Sequence, residues 1–175
     1  MAILEILTYP DERLQRESEP VERFDAELHA FIADLEETMR AGPGGVGIAA
    51  PQVGRFQRVV IVDCSVTRKP VPNHGRLVLV NPELLTWEGM EVGREGCMSV
   101  PDYTGNVIRA THITLAAQNE QGEKMEYAFE GFEARAVQHE LDHLDGMLFL
   151  DRLVSRRNDL FRRKVYQEPK KQEKV

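Results

Sequence analysis

Residues 138–143 read Gln138-His139-Glu140-Leu141-Asp142-His143, with two histidines four positions apart. On an α-helix that spacing stacks both imidazoles on one face, where they can hold the same metal ion. Glu140 then adjoins any water on that ion, which makes His-Glu-x-x-His the smallest kit for metal-assisted hydrolysis. Three fixed residues arise by chance in about one in a few hundred chains of this length, so the motif counts only if the rest of the chain supplies what it lacks. The pattern around it is helical from about 132 to 145. Val137, Leu141, Leu144 and Leu148 form one apolar stripe, and Phe132, Ala136, His139 and His143 a second. A helix apolar on two sides is buried, which predicts a central helix whose metal face looks into an internal cleft.

Upstream, Leu28, Phe31, Ile32, Leu35 and Met39 repeat at helical spacing over 25–41, and Gly42-Pro43-Gly44-Gly45 ends that segment. Short β-type runs follow at 58–63, 77–80, about 86–93, 107–117 and 123–129, the last two joined by a hairpin turn at Asn119-Glu120-Gln121-Gly122. Strand runs flanked by separate helices predict an α+β fold: one domain of mostly antiparallel sheets around the central helix, with an N-terminal helix.

With 175 residues and 42% hydrophobic content the chain can bury a core without disulfides. A net charge of −7 argues against nucleic-acid binding by the body of the protein. With no apolar run near 18 residues and no charged-then-apolar leader, the reading is a cytoplasmic protein without a membrane segment. Arg152–Val175 carries nine Lys/Arg against three Asp/Glu, a net +6 that leaves −13 on the preceding 151 residues. Val154, Phe161 and Val165 predict a basic C-terminal helix ended by Pro169, giving a domain over 1–166 and a flexible polar tail over 167–175. Charge alone leaves open whether the basic segment is merely solvated or docks on an anionic partner.

A catalytic metal needs a third protein ligand and an open position. Gly146 fits the longer His-Glu-x-x-His-x-x-Gly-x-x-His pattern, but its last position is Phe149, which cannot coordinate, and Glu168 and Glu173 lie in the polar segment. Cys97, in Glu95-Gly96-Cys97-Met98-Ser99 directly after a predicted strand, is the better candidate. Cys64 follows Val59-Val60-Ile61-Val62 and reads as a small buried side chain. His29, His74 and His112 lack partner spacing and read as surface or satisfied histidines. Gly45-Val46-Gly47-Ile48-Ala49-Ala50-Pro51-Gln52 is a weak match to a phosphate loop, and reads as a loop whose small residues let a ligand approach the backbone.

Three motifs, Gly45–Gln52, Glu95–Ser99 and Gln138–Leu144, occur in the order and at the separations found in peptide deformylases, and Ile6-Leu7-Thr8-Tyr9-Pro10 with Arg13-Leu14 resembles that family's opening. The resemblance spans roughly residues 3–153. It implies that Cys97, His139 and His143 bind one Fe²⁺ per chain, for which Zn²⁺, Ni²⁺ or Co²⁺ can substitute. It implies attack of a metal-bound hydroxide on the N-formyl group of formylmethionyl nascent peptides, releasing formate, with Glu140 as general acid/base. The oxyanion falls to Gln52 and the backbone N–H of Met98. Val46, Gly47, Glu95, Gly96, Phe132 and Ala136 are the implied substrate-binding residues, and Glu95 with Arg109 an implied salt bridge. The basic C-terminal segment is similar to the helix that docks on the ribosome in some members. Two departures stand out: Gly93 replaces a bulkier pocket residue, and Thr104 stands where some members carry a basic side chain. The rival readings are a zinc endopeptidase using the same helix and a structural zinc module in which Cys97, His139 and His143 need a fourth protein ligand.

Overall fold

The computed structural model describes residues 2–163, and its two α-helices lie where the apolar periodicity predicts them. α1 (Ala26–Ala41) starts at Asp25, whose side chain accepts the Leu28 N–H at 3.0 Å and so satisfies one of the donors every helix start leaves over. α2 (Gly131–Leu144) carries the paired histidines. Between and after the helices run β1 (Gly47–Ala49), β2 (Val59–Asp63), β3 (Arg76–Glu88), β4 (Glu91–Cys97), β5 (Val100–Arg109), β6 (His112–Gln118), β7 (Lys124–Glu130) and β8 (Leu160–Arg162). They form two antiparallel sheets, one in the order β1-β2-β3-β6-β7 and one in the order β4-β5-β8. The expected single α+β domain is the fold observed.

The helices cover opposite faces of the larger sheet. Leu28, Ile32, Leu35 and Met39 of α1 pack with Val59, Ile61, Val78 and Val80. Ala134, Val137 and Leu144 of α2 pack with Val60, Val62, Leu79 and Leu115. β2 therefore buries every residue, which is why its sequence is a continuous apolar run rather than an alternating one. A fully buried Val, Leu or Ile contributes roughly 1.5–3 kcal/mol, so this double layer is the main stabiliser and holds α2 as a rigid platform. The other flank of α2 faces the smaller sheet, where Cys97, Val100, Val107 and Phe149 share a third cluster.

Several expected boundaries move. The run 86–93 straddles a reversal at Gly89-Met90, where Gly89 has φ 72° and an added Cβ would strike Thr111 Oγ1. Likewise 107–117 divides into β5 and β6 at Ala110-Thr111. Gly45–Gln52 is not a loop: it contains β1 and a 3-10 turn over Ala50–Val53. The predicted C-terminal helix is not formed within the described residues. Phe161 sits instead in β8, opposite Thr104 on the outer edge of β5, with the Arg94 guanidinium 3.9 Å over its ring. Pairing with that open edge satisfies backbone groups that a helix would have satisfied internally. Val165, Pro169 and the expected tail over 167–175 lie outside the described residues.

The N-terminal segment ties the motif-bearing pieces together. Leu7 N–H donates to the Gln52 carbonyl and Tyr9 N–H to the Ser99 carbonyl, both at 2.7 Å. No helix among the described residues is long and apolar enough to cross a membrane.

Candidate active site

β1 is an edge strand of one sheet and β4 an edge strand of the other. Both border a single cavity of about 270 Å³ against α2, lined by Val46, Gly47, Gln52, Cys97, Glu140 and residues around them. The cleft thus offers two strand edges, a buried helix face and the end of β4, where Cys97 is the last residue.

Cys97, His139 and His143 converge here: their ligand atoms all lie within 4.8 Å of one another, and all three residues are buried. Cys97 Sγ is 3.4 Å from His143 Nε2, close to the roughly 3.5 Å edge of a tetrahedron with metal bonds of about 2.0–2.3 Å. His139 commits its Nδ1 to Glu95 Oε1 at 2.8 Å, which directs Nε2 at the cluster. Burial works against charge on His139, yet Cys97 and Glu95 outweigh it and hold the imidazole protonated well above its usual range, whereas burial and the neighbouring positive charges of His139 and Arg109 hold His143 neutral. Glu140 supplies a second test of fit. Its Oε2 is buried and has no hydrogen-bond partner among the described residues, and burial raises its carboxyl to about 7. A cation beside it would favour the carboxylate and relieve that cost. The residues fit a divalent metal of thiolate-and-imidazole preference and disfavour Mg²⁺ and Ca²⁺.

Glu95 is the hub beneath the site. Its oxygens accept from Arg109 Nε and Nη2 at 2.9 Å each, from Arg135 Nη1 at 2.7 Å and from His139. Burial alone would raise this carboxyl, but the His139 and Arg109 hydrogen bonds and the Arg109 charge hold it far below the usual carboxylate range. Arg109 in turn donates to Asp142, which also accepts from Arg152 at 2.6 and 3.0 Å. The Glu95–Arg109 pair expected from the sequence is therefore present, and it props up a ligand histidine rather than merely lying nearby.

Gln52 is fixed by a local constraint. Its Oε1 accepts the Ala49 N–H at 2.9 Å, so its amide nitrogen points the other way, 3.0 Å from Ser99 Oγ and 3.5 Å from Cys97 Sγ. Gly47 fits close to the carboxylate: a Cβ there would lie 2.8 Å from Glu140 Oε1. Val46, Gly47, Glu95, Gly96, Met98, Phe132 and Ala136 all border the cavity. Phe132 is 42% exposed at its mouth, whereas Ala136 is buried deeper. Sequence reading missed Ser99, Arg135, Asp142, Arg94 and Arg163, of which all but Ser99 and Asp142 border the same cavity. At Gly93 an added Cβ would lie 2.7 Å from the Arg135 guanidinium: the long side chain of residue 135 fills the volume that residue 93 vacates. His74 pairs with Glu133 at 2.6 Å and His29 with the Glu120 carbonyl at 2.8 Å, both satisfied outside the site.

The family model described as polypeptide deformylase matches residues 3–159. The chain belongs to the peptide deformylase family. A peptide deformylase of Acidobacterium capsulatum is 42% identical over 165 residues, 94% of this chain and 95% of that one. The crystal structure of a peptide deformylase from Legionella pneumophila superposes with a TM-score of 0.80 at 41% identity, covering 87% of this chain and 86% of that one. A Met-Ala-Ser-bound class I type b peptide deformylase from Acinetobacter baumannii has a TM-score of 0.81 at 38% identity over 87% and 99% of the two chains. The enzyme is thus a hydrolase that removes the N-formyl group from nascent peptides, and the family needs a catalytic metal for which this chain has a Cys-His-His site. Neither the endopeptidase nor the structural-zinc reading is favoured; the latter needs a fourth protein ligand, and the cluster among the described residues has three.

Proposed function

We propose that deformylation proceeds in the cleft between β1, β4 and α2, with Fe²⁺ as the physiological ion and Glu140 as the proton carrier. The observation that carries this reading is the buried Glu140 Oε2, without a partner among the described residues, beside the three-ligand cluster. Bound by Cys97, His139 and His143, the cation supplies Lewis acidity, polarising a carbonyl oxygen and making water acidic near neutral pH. Glu140 takes the proton of the attacking water and delivers it to the amide nitrogen as the carbon–nitrogen bond breaks, leaving formate and a free amino terminus. Negative charge on the formyl oxygen is held by Gln52 Nε2 and the Met98 backbone N–H. The peptide backbone adds as a strand along Val46-Gly47 and Glu95-Gly96, a mode that free sheet edges allow. Its methionine side chain enters the slot of Val46, Phe132, Ala136 and the His139 ring, with Glu95 at the edge.

Anaerobic incubation of Fe²⁺-loaded protein with formyl-Met-Ala-Ser tests this reading, since a ferrous thiolate site is oxygen-sensitive. Stoichiometric formate is expected, with acetyl-Met-Ala-Ser inert; cleavage of an internal bond, or no formate with Fe²⁺, Ni²⁺ or Co²⁺, overturns it. Gln52→Ala should stay folded and metal-loaded while kcat falls about 10²–10³-fold, the usual cost of one oxyanion donor; near-normal turnover removes Gln52 from the mechanism.

We further place the enzyme in the cytoplasm, where formylated chains emerge, and assign its basic C-terminal segment to ribosome docking. Two buried cysteines without a disulfide suit a reducing compartment. Deleting residues 164–175, which leaves β8 intact, should reduce cosedimentation with ribosomes at low salt and spare formyl-Met-Ala-Ser turnover. Undiminished cosedimentation refutes the docking role.

A further inference from the structure

The face of the smaller sheet turned away from α2 carries an arrangement that the reaction itself does not use. On β4, Glu95 and Cys97 point toward the helix, so Arg94 and Gly96 point to the other side. Register places Thr104 opposite Gly96, Asn106 opposite Arg94, and Phe161 opposite Thr104. Two guanidinium groups gather there. Arg94 stacks on Phe161 and donates to Asn106 Oδ1 at 3.1 Å and Thr104 Oγ1 at 3.3 Å. Arg163, two residues beyond Phe161, is anchored by its N–H to the Asp102 carbonyl at 2.8 Å. Its Nη2 lies 2.6 Å from where a Gly96 Cβ would be. Both arginines border the mouth of the active-site cavity. Among the described residues neither forms an ion pair, and Arg163 Nε is buried without an acceptor. Of the carboxylates of the cavity, Glu95 is taken by Arg109, Arg135 and His139, and Glu140 adjoins the ligand His139 on the α2 face of the cleft. Two cations at the cavity, with no anion between them among the described residues, describe a receptor for one.

We propose that Arg163 and Arg94 recognise an acidic side chain on the residue that directly follows formylmethionine, so that the enzyme prefers nascent chains beginning formyl-Met-Asp or formyl-Met-Glu. The inference rests on the deformylase reading, and strand alternation sets the position. A peptide added to the free edge of β4 sends successive side chains to opposite faces of the sheet. With methionine in the slot beside α2, the next side chain emerges on the Gly96 face, under the two guanidinium groups. Gly96 contributes by having no side chain to block the approach. Thr104, opposite Gly96, accepts from Arg94 Nη1 at 3.3 Å, and the positive charge on this face comes from β4 and from the segment after β8.

The test compares formyl-Met-Asp-Ser with its neutral isostere formyl-Met-Asn-Ser and with formyl-Met-Lys-Ser on metal-loaded full-length protein. Calorimetric Kd values for the deformylated products Met-Asp-Ser and Met-Asn-Ser give a readout independent of turnover. The parent enzyme should favour Asp over Asn about five- to tenfold in kcat/KM and in product affinity, the range of a partly exposed charge-assisted pair, and the ratio should shrink as salt rises. The Arg94→Gln, Arg163→Gln double variant should bring both ratios to about one, while Arg163→Lys retains part of the preference. An Asp/Asn ratio near one in the parent, or a ratio unchanged in the double variant, overturns the inference while leaving the deformylase reading standing. Failure to release formate from all three peptides overturns both.

Discussion

Glu140→Ala is expected to lower kcat about 10³–10⁴-fold at pH 7, toward the upper end of what a positioned proton carrier supplies, because in the proposed mechanism one carboxyl serves both halves of the reaction. It removes a proton from water at attack and returns one to nitrogen at departure. No neighbour can take over: Glu95 is committed to two arginines and a histidine, and Asp142 to Arg109 and Arg152. Metal content should stay near one per chain, since Glu140 is outside the ligand set. Stability should move the opposite way. In the metal-free protein burial raises the Glu140 carboxyl from 4.5 to about 7, so folding favours its protonated form. That contribution is complete below the unfolded pKa and is lost as pH rises through the folded one. Metal-free Glu140→Ala should therefore be more stable than the metal-free parent at pH 7.5, by up to about 3 kcal/mol, and the gap should close toward pH 5. Steady-state kinetics, metal analysis and paired thermal melts check the three statements. Turnover within tenfold of the parent would transfer the proton chemistry to another group.

The same residue shows why parts of this molecule were legible from its sequence. Groups whose placement follows from local periodicity, such as the α2 histidine pair and the apolar face of α1, appear in the structure where they were read. Cys97 was legible because few residue types can complete such a ligand set and the chain offers only two cysteines. What failed depended on long-range pairing. Val154 and Phe161 are spaced seven apart, as on a helix, but the open edge of β5 claimed Phe161 for a strand. The runs 86–93 and 107–117 are uniformly β-prone, so composition does not mark the reversals at Gly89-Met90 and Ala110-Thr111. Arg135 escaped notice because its role exists only where Gly93, 42 positions earlier, leaves it space. Arg94 and Arg163 reach the same cavity from separate segments, through cross-strand register that no local pattern encodes.

Glu95→Ala should destabilise the protein by about 3–5 kcal/mol, the usual cost of removing one partner from a buried ion pair. Arg109 has only 3% of its side chain exposed and Arg135 12%. Without Glu95 the former keeps Asp142 and the latter its two backbone carbonyls, Val107 and Glu91, so both lose their principal countercharge where water cannot replace it. The second consequence is chemical. His139 Nδ1 loses the acceptor that fixes its ring and tautomer, and metal affinity should fall about 10–100-fold, as it does when such a supporting carboxylate is removed. A second variant separates these effects. Glu95→Leu combined with Arg109→Met removes both charges of the pair together, which should recover much of the stability but not the metal affinity, because His139 still lacks its acceptor. Urea unfolding measures the first quantity and competition with a chromogenic chelator the second. If the double variant regains both, Glu95 serves the fold alone and His139 needs no partner. If Glu95→Ala costs under about 1 kcal/mol, water reaches Arg109 and the cluster is a surface feature. The geometry predicts neither outcome: one carboxylate receives four N–H donors from three side chains, and one of those side chains is the histidine that must present its other nitrogen to the metal.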